Sequence, residues 1–470
     1  MTHPLSQALQ IMIDGTVVRS EMAMAYGGRD VRLERRGDEV LDAIVAKNSL
    51  VLRKIGGGRA GEVAAGRFLD NGDVTARAII ETAAERTLAA ARGRRVLAIQ
   101  DTTEVNFSGR AARRTGLGPA GDGVSPGLFC HPVLLVDIEH EAVLGVSWAD
   151  IWTRADTPAG DRKKRPIDAK ESGRWLDATR ACEAMARVAA QVVTVADREA
   201  DIYEHFAARP AGVDMIVRAR HDRVTAAGAS LFAAPESFHL LDVASVPVPP
   251  RGPGNKGRIA EVSIRAGRVE IACPARRRRS GVPAAVALGF VEIAEVAAPK
   301  GATPVCWRLL TTLPVGTLAE ATEVARLYRL RWRIEQLFRT LKSDGLDFEA
   351  TQVTDAQRLF KLLALGIIAA ARIMQLVDAR DGSPRPATDV LDAAQVPAMA
   401  AISAQLEGKT ARQRNHHPPG SLAFVAWVAA RLGGWNCYYK PPGPKTMADG
   451  WRRLAERIEG YNLAMATKDV

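Results

Sequence analysis

The chain is short of the residues that staple a secreted domain or arm a common hydrolase. Its five cysteines (Cys130, Cys182, Cys273, Cys306 and Cys437) are scattered through 470 residues, odd in number and without a C-x-x-C pair. That spacing argues against both a disulfide framework and a thiolate zinc site. No H-E-x-x-H helix occurs, so no motif pairs two histidines with zinc. Repeats at solenoid periods are absent. The longest apolar run, Leu362 to Ala371, is bracketed by Lys361 and Arg372 and is too short to span a bilayer. The opening MTHPLSQALQ lacks a basic n-region leading into an apolar core. A cytoplasmic protein without a membrane partner is expected, and any metal must sit on oxygen ligands.

What is abundant is apolar residue and positive charge. A hydrophobic fraction of 47% over 470 residues supports two or three domains with a well-buried core. The formal net charge of +11 favours a polyanionic partner, which on charge alone is nucleic acid or an anionic membrane surface. Residues 1–75 cluster arginines, among them Arg19, Arg29, Arg35, Arg36 and Arg53, around short helical patterns. Gly56 to Gly61 formally fits G-x-G-x-x-G, but no second strand ending in an acid follows at the distance a dinucleotide fold needs, so it reads as a glycine-rich turn.

From residue 76 the pattern is α/β. A helix over 76–92 leads into the apolar run VLAIQD at 96–101. Two strands follow within 132–148, then a helix over 172–189, the strand VVTVAD at 192–197, a helix near 199–208 and a strand at 214–218. This order predicts a mixed sheet in an α/β core. Residues 219–303 break the rhythm and read as a β-rich insertion with exposed basic loops, Arg276 to Arg279 included. Within it EVSIRAGRVEIAC alternates like a hairpin turning at Ala266-Gly267. The last hundred residues, from 371 to 470, are mainly helical in pattern.

Asp101 and Asp197 each close a short apolar run. In α/β sheets ligands bind outside the carboxyl ends of strands, so two such ends side by side would present two hard oxygen ligands. Either aspartate alone serves equally well to cap the following turn. Thr317-x-x-Glu320 is a capping box, and no Gly or Pro interrupts the chain from there to Gly345, which predicts one helix over 318–343. At ~100° per residue, Tyr328, Arg331, Glu335 and Lys342 lie within roughly 60° of arc, beside an apolar stripe of Leu327, Leu330, Ile334, Leu337, Phe338 and Leu341. The plain alternative is a solvated stripe with an Arg331–Glu335 ion pair.

Three strings occur in order: D-T-T at Asp101 to Thr103, D-R-E-A-D at Asp197 to Asp201, and Y-x(2)-R-x(3)-E-x(6)-K from Tyr328 to Lys342. Together with FLDNGDVT, ESGRW, IVRARH, WRLLTT, RWRIEQ and RLGGW they resemble the insertion-sequence-four family of bacterial DDE transposases. The likeness runs from about residue 60 onward. It implies an RNase H-like catalytic domain at 76–370, with the insertion at 219–303 and helical flanks at 1–75, for binding DNA ends, and 371–470, for dimerisation. It further implies that Asp101, Asp197 and Glu335 bind two Mg²⁺ ions, which Mn²⁺ can replace. Tyr328, Arg331 and Lys342 would clamp the DNA end, Trp307 would stack on a flipped base, and Arg218 and Arg220 would contact the backbone. The implied activity is cut-and-paste transposition of double-stranded DNA by a homodimer, through hairpin intermediates and strand transfer at inverted-repeat ends. A non-catalytic regulator of transposition and a nuclease without strand transfer are the alternatives.

Overall fold

The computed structural model describes the chain from Val31 to Ala466 apart from 108–113, 155–166, 168–169, 249–256, 279–280, 343–344, 383, 392 and 439. Before Val31 it describes only Tyr26 and two short paired strands, β1 (Met12–Ile13) and β2 (Thr16–Val17). Arg19, Arg29 and Arg279 lie outside the described residues.

Four helices open the described chain: α1 (Val31–Lys47), α2 (Leu52–Ile55), α3 (Arg59–Asp70) and α4 (Ala76–Ala91). The glycine-rich turn joins α2 to α3, and a side chain on Gly61 would strike the Gly56 carbonyl. Helix α4 begins where Thr75 accepts the Ala78 N–H at 3.0 Å, which meets one of the helix's orphan donors.

The strands follow as β3 (Arg95–Gln100), β4 (Thr103–Asn106), β5 (Gly118–Pro119), β6 (Pro126–Asp137) and β7 (Ala142–Trp152). Helices α5 (Arg174–Ala181) and α6 (Glu183–Ala186) lead to β8 (Gln191–Ala196), and α7 (Tyr203–Ala207) leads to β9 (Val213–Arg218). Next come β10 (Leu240–Val248), β11 (Arg258–Ala272), β12 (Ala285–Glu295) and β13 (Cys306–Thr311). One sheet runs in the order β10-β11-β12-β13-β9-β8-β3-β6-β4, with β7 also on β6. Among the described residues, only β3 with β8 and β8 with β9 pair in parallel in this sheet; its other strand pairings are antiparallel. The expected mixed α/β core with flanking helices is therefore what forms.

Strand β3 shows why its run is almost wholly apolar. Leu97 and Ile99 join the large core on one face, while Val96 and Ala98 join a second cluster with Ala178, Cys182 and Met185 from α5 and α6. A strand covered on both faces has no solvent side to mark with polar residues.

The insertion corrects the hairpin expectation. β11 is a single strand of 15 residues that crosses Ala266-Gly267 without turning, because both halves pair in unbroken register with β12. Gly267 is there for space: a Cβ would enter the Phe238 ring. Gly267→Val should cost about 1–3 kcal/mol by overpacking, read as a lowered urea midpoint, and a neutral result would refute the steric role. Through β13 the insertion strands extend the core sheet. Of its basic loop, Arg276 and Arg278 are exposed, but Arg277 pairs with Glu204 at 2.9 Å.

The long predicted helix is two helices, α8 (Leu318–Arg329) and α9 (Trp332–Leu341). The capping box is present, with Thr317 and Glu320 bonded reciprocally. At the junction the N–H groups of Leu330, Arg331, Arg333 and Ile334 bond three residues back, a tightened 3₁₀ step. The predicted 172–189 helix is likewise split at Cys182.

The remaining helices are α10 (Ala356–Ala379), α11 (Val396–Leu406), α12 (Leu422–Leu432) and α13 (Pro444–Ala466). By length and composition α10 is long and apolar enough to cross a membrane, yet 83% of its apolar window is buried inside the fold, packed against α1, α4, α12 and β7. Helix α13 buries Met447, Ala448, Trp451, Leu454 and Ile458 on the side that meets α1 and α12.

Two buried histidines, His131 on β6 and His205 on α7, have their pKa values pushed down by burial, to about 3 and about 4. Above pH 6.5 both are neutral folded or unfolded. As pH falls below 6.5 the unfolded chain takes up protons that the folded chain refuses, so their contribution to stability is lost progressively toward pH 3–4. Asp101, raised to about 7, opposes this in the same window. His205→Asn should therefore flatten the fall in urea stability between pH 6.5 and 4, by of the order of 2 kcal/mol at pH 5. An unchanged slope would show that His205 is already protonated in the native state.

Candidate active site

The parallel pairing of β3 and β8 runs from Arg95↔Gln191 to Ile99↔Val195. Two residues further on, the same register sets Asp101 beside Asp197, one strand spacing of about 4.8 Å apart along the sheet. Each aspartate also caps the turn it opens: Asp101 Oδ1 accepts the Thr102 N–H at 2.8 Å, and Asp197 Oδ1 accepts the Glu199 N–H at 2.8 Å. These residues thus cap their turns and also stand side by side.

Helix α9 contributes Glu335, and the junction before it contributes Arg331. The Arg331 guanidinium donates to Asp101 Oδ2 at 2.9 Å and to Glu335 Oε1 at 3.5 Å, and its side chain is only 12% exposed. The Arg331–Glu335 pair is therefore one arm of a bridge to the sheet rather than a solvated surface contact. Burial, then the Asp197 carboxylate and to a smaller extent Glu335, pushes the Asp101 carboxyl up to about 7, against the opposing pull of Thr102 and Arg331.

Around this centre the other predicted residues take distinct positions. Tyr328 is buried and meets Trp307 edge to face at 5.3 Å between ring centroids; burial raises its phenol pKa. Trp307 is half-buried on β13. Lys342 caps the end of α9, and burial lowers its pKa while Glu349, Glu104 and Glu335 pull the other way. Arg218 is the last residue of β9 and donates to the Cys306 carbonyl at 2.9 Å. Arg220 lies beyond the strand, so the expected alternation of the two arginines along one strand is not what places them. Both nevertheless line a cleft of about 460 Å³ with Asp197, Arg198 and Arg308.

The residue that holds this cleft together is Asp201, whose string was legible in sequence but whose role was not. Its carboxylate accepts the N–H groups of Arg220 and His221 at 2.8 and 2.9 Å and pairs with Arg223 at 2.6 Å. Little of either side chain is exposed, 11% for Arg223 and 0% for Asp201. Arg308, also unanticipated, lies over the Phe232 ring at 4.2 Å and pairs with Glu292. No spacing rule links Asp201 with Arg223 or Arg308 with Phe232.

Among the described residues, no three His, Cys, Asp or Glu side chains stand close enough to hold one ion as they lie. Arg331 occupies the ground between Asp101 and Glu335. The donor chemistry still fits a hard divalent cation: the donors are all oxygen, and two come from neighbouring strand ends.

Residues 168–371 match the family model of the transposase DDE domain. The matched segment takes in Asp197, Glu335 and the insertion, and Asp101 precedes it. The mixed sheet with its flanking helices is the RNase H-like fold of such domains. The match supports a transposase function.

Proposed function

We propose that the protein is a cut-and-paste DNA transposase of the insertion-sequence-four type, with Asp101, Asp197 and Glu335 as its metal-binding triad. The observation that carries this reading is the parallel register that sets Asp101 beside Asp197, under a helix that brings Glu335 and Arg331 to the same point. When bound, two Mg²⁺ ions, or Mn²⁺ in their place, supply activation of an attacking water or 3′-hydroxyl and charge neutralisation at the leaving oxygen. The chain's own residues do the rest. Asp101 and Asp197 supply fixed oxygen donors from a rigid sheet, and Glu335 supplies a third from α9. Arg331 orients two of those carboxylates and keeps further N–H donors for a phosphate. Arg218 and Arg220 line a cationic cleft beside Asp197 suited to a DNA backbone. Tyr328 and Lys342 flank the cut end, and Trp307 offers a face for an unpaired base.

In this reading the catalytic unit spans 76–370 with its insertion at 219–303. Residues 1–75 bind the inverted-repeat end, and 371–470 support a homodimer in which the two ends are paired. Because the α13 face toward α1 and α12 is already buried within the chain, dimer contacts fall on other residues. The reaction proceeds by nicking, hairpin formation and resolution, and strand transfer, since one site can serve each step by changing only the nucleophile.

The test is incubation of the protein and Mn²⁺ with linear DNA carrying the sequences that flank its coding region, beside a supercoiled target. Metal-dependent cleavage with hairpin ends and joined products is the expected result. Binding without cleavage would replace this reading with a regulator, and cleavage without joining with a nuclease.

A further inference from the structure

Behind the two aspartates lies a buried hydrogen-bond chain that none of the sequence motifs contains as a unit. It runs from Thr102 Oγ1 to His131 Nδ1 (2.8 Å) and from His131 Nε2 to Gln100 Oε1 (3.2 Å). It continues from Gln100 Nε2 to Thr179 Oγ1 (2.8 Å), from Thr179 Oγ1 to His205 Nε2 (2.7 Å), and from His205 Nδ1 to the Ala200 carbonyl (3.1 Å). Gln100, His131, Thr179 and His205 are each 1% exposed or less.

Its direction can be worked out from one end. The Ala200 carbonyl can only accept, so His205 Nδ1 carries the proton. The other nitrogen of that neutral ring must then accept the Thr179 hydroxyl proton. Thr179 in turn accepts from the Gln100 amide, whose oxygen accepts His131 Nε2–H. His131 Nδ1 is left to accept the Thr102 hydroxyl proton. Every link has one donor and one acceptor, and both rings are neutral, as burial dictates. The chain begins on the residue after Asp101 and ends on the turn that Asp197 opens, crossing β6, β3, α5 and α7 between them.

We infer that this relay is a positioning device that locks the two acid-bearing turns to one another, so that Asp101 and Asp197 present their carboxylates at a fixed separation to a shared metal. The inference rests on the proposed metal-dependent function. A fully satisfied buried polar chain is rigid, and breaking one link strands a donor and an acceptor away from water. Thr179 is the central link and sits on α5, away from the carboxylates.

Thr179→Val removes the hydroxyl at nearly constant shape, and Thr179→Ser restores it. With full-length protein, Mn²⁺ binding followed by the EPR signal of free Mn²⁺ should weaken about tenfold in Thr179→Val and return to near wild type in Thr179→Ser, the scale seen when an outer-shell partner is lost. Nitrogen NMR of histidine-labelled wild type should show His205 protonated at Nδ1 and His131 at Nε2, and in Thr179→Val the His205 signals should shift. Should Thr179→Val not fold, Thr102→Val against Thr102→Ser asks the same question at the more exposed end. Wild-type Mn²⁺ affinity in the folded valine variants, equal impairment of both serine variants, or the opposite tautomers would overturn the inference alone. A wild-type protein that binds no Mn²⁺ and cuts no DNA would overturn the functional reading and this one with it.

Discussion

Replacing Asp101, Asp197 or Glu335 by alanine should cut DNA cleavage and strand joining by about a thousandfold or more, the rate equivalent of roughly 4 kcal/mol of lost transition-state stabilisation. Binding to DNA should persist in all three variants. Removing an acid makes a basic protein more basic, so affinity for a polyanion is expected to hold or rise slightly, with a steeper dependence on salt. That opposite movement of binding and chemistry separates loss of a metal ligand from loss of fold, which would lower both. Asp101→Asn and Glu335→Gln sharpen the test, since they keep volume and hydrogen bonding while removing charge. Glu335→Ala with wild-type cleavage in Mn²⁺ would remove that residue from the site. Arg331 gives an internal control: Glu335→Ala frees one arm of its bridge but leaves the 2.9 Å contact to Asp101.

The second large effect is structural. Asp201→Ala should destabilise the protein by about 3–5 kcal/mol, because it removes the carboxylate partner of Arg223 and leaves that largely covered guanidinium only the carbonyl of residue 201. It also leaves the N–H groups of Arg220 and His221 without their acceptor. The loss should be largest in the reach from β9 to Arg223, visible as faster amide exchange there than in β3. DNA affinity should fall with it, since Arg218 and Arg220 share the cleft beside Asp197. The double variant Asp201→Leu/Arg223→Leu should recover part of the stability, because replacing both partners of a buried pair costs less than orphaning one. A double variant no more stable than Asp201→Ala would mean that the backbone contacts, not the ion pair, hold this loop.

Much of this was legible in order along the chain. The runs ending at Asp101 and Asp197 read as strands because residues covered on both faces are apolar without interruption. The capping box at Thr317 marked the start of α8 because its two bonds are local. Where the reading failed, the deciding contact was distant. Ala266-Gly267 looked like a turn, but a glycine that makes room for the Phe238 ring has the same spelling as one that bends the chain. The helix over 318–343 contains no glycine or proline at Leu330–Arg331, and the tightened step found there has no local sequence mark.

By itself, then, the amino-acid order determined the sequence of strands and helices, the three acids and the excess of positive charge, because periodicity, capping and composition act between near neighbours. Only the tertiary structure decided that Asp101 and Asp197 stand side by side and that Arg331 bridges Asp101 to Glu335. It also decided that Asp201 ties down the arginine loop and that two neutral histidines link the acid-bearing turns. Apart from the local Arg331–Glu335 and His205–Ala200 bonds, those contacts join residues from about 20 to 230 positions apart, brought together by burial of both faces of one sheet, and no spacing along the chain encodes them.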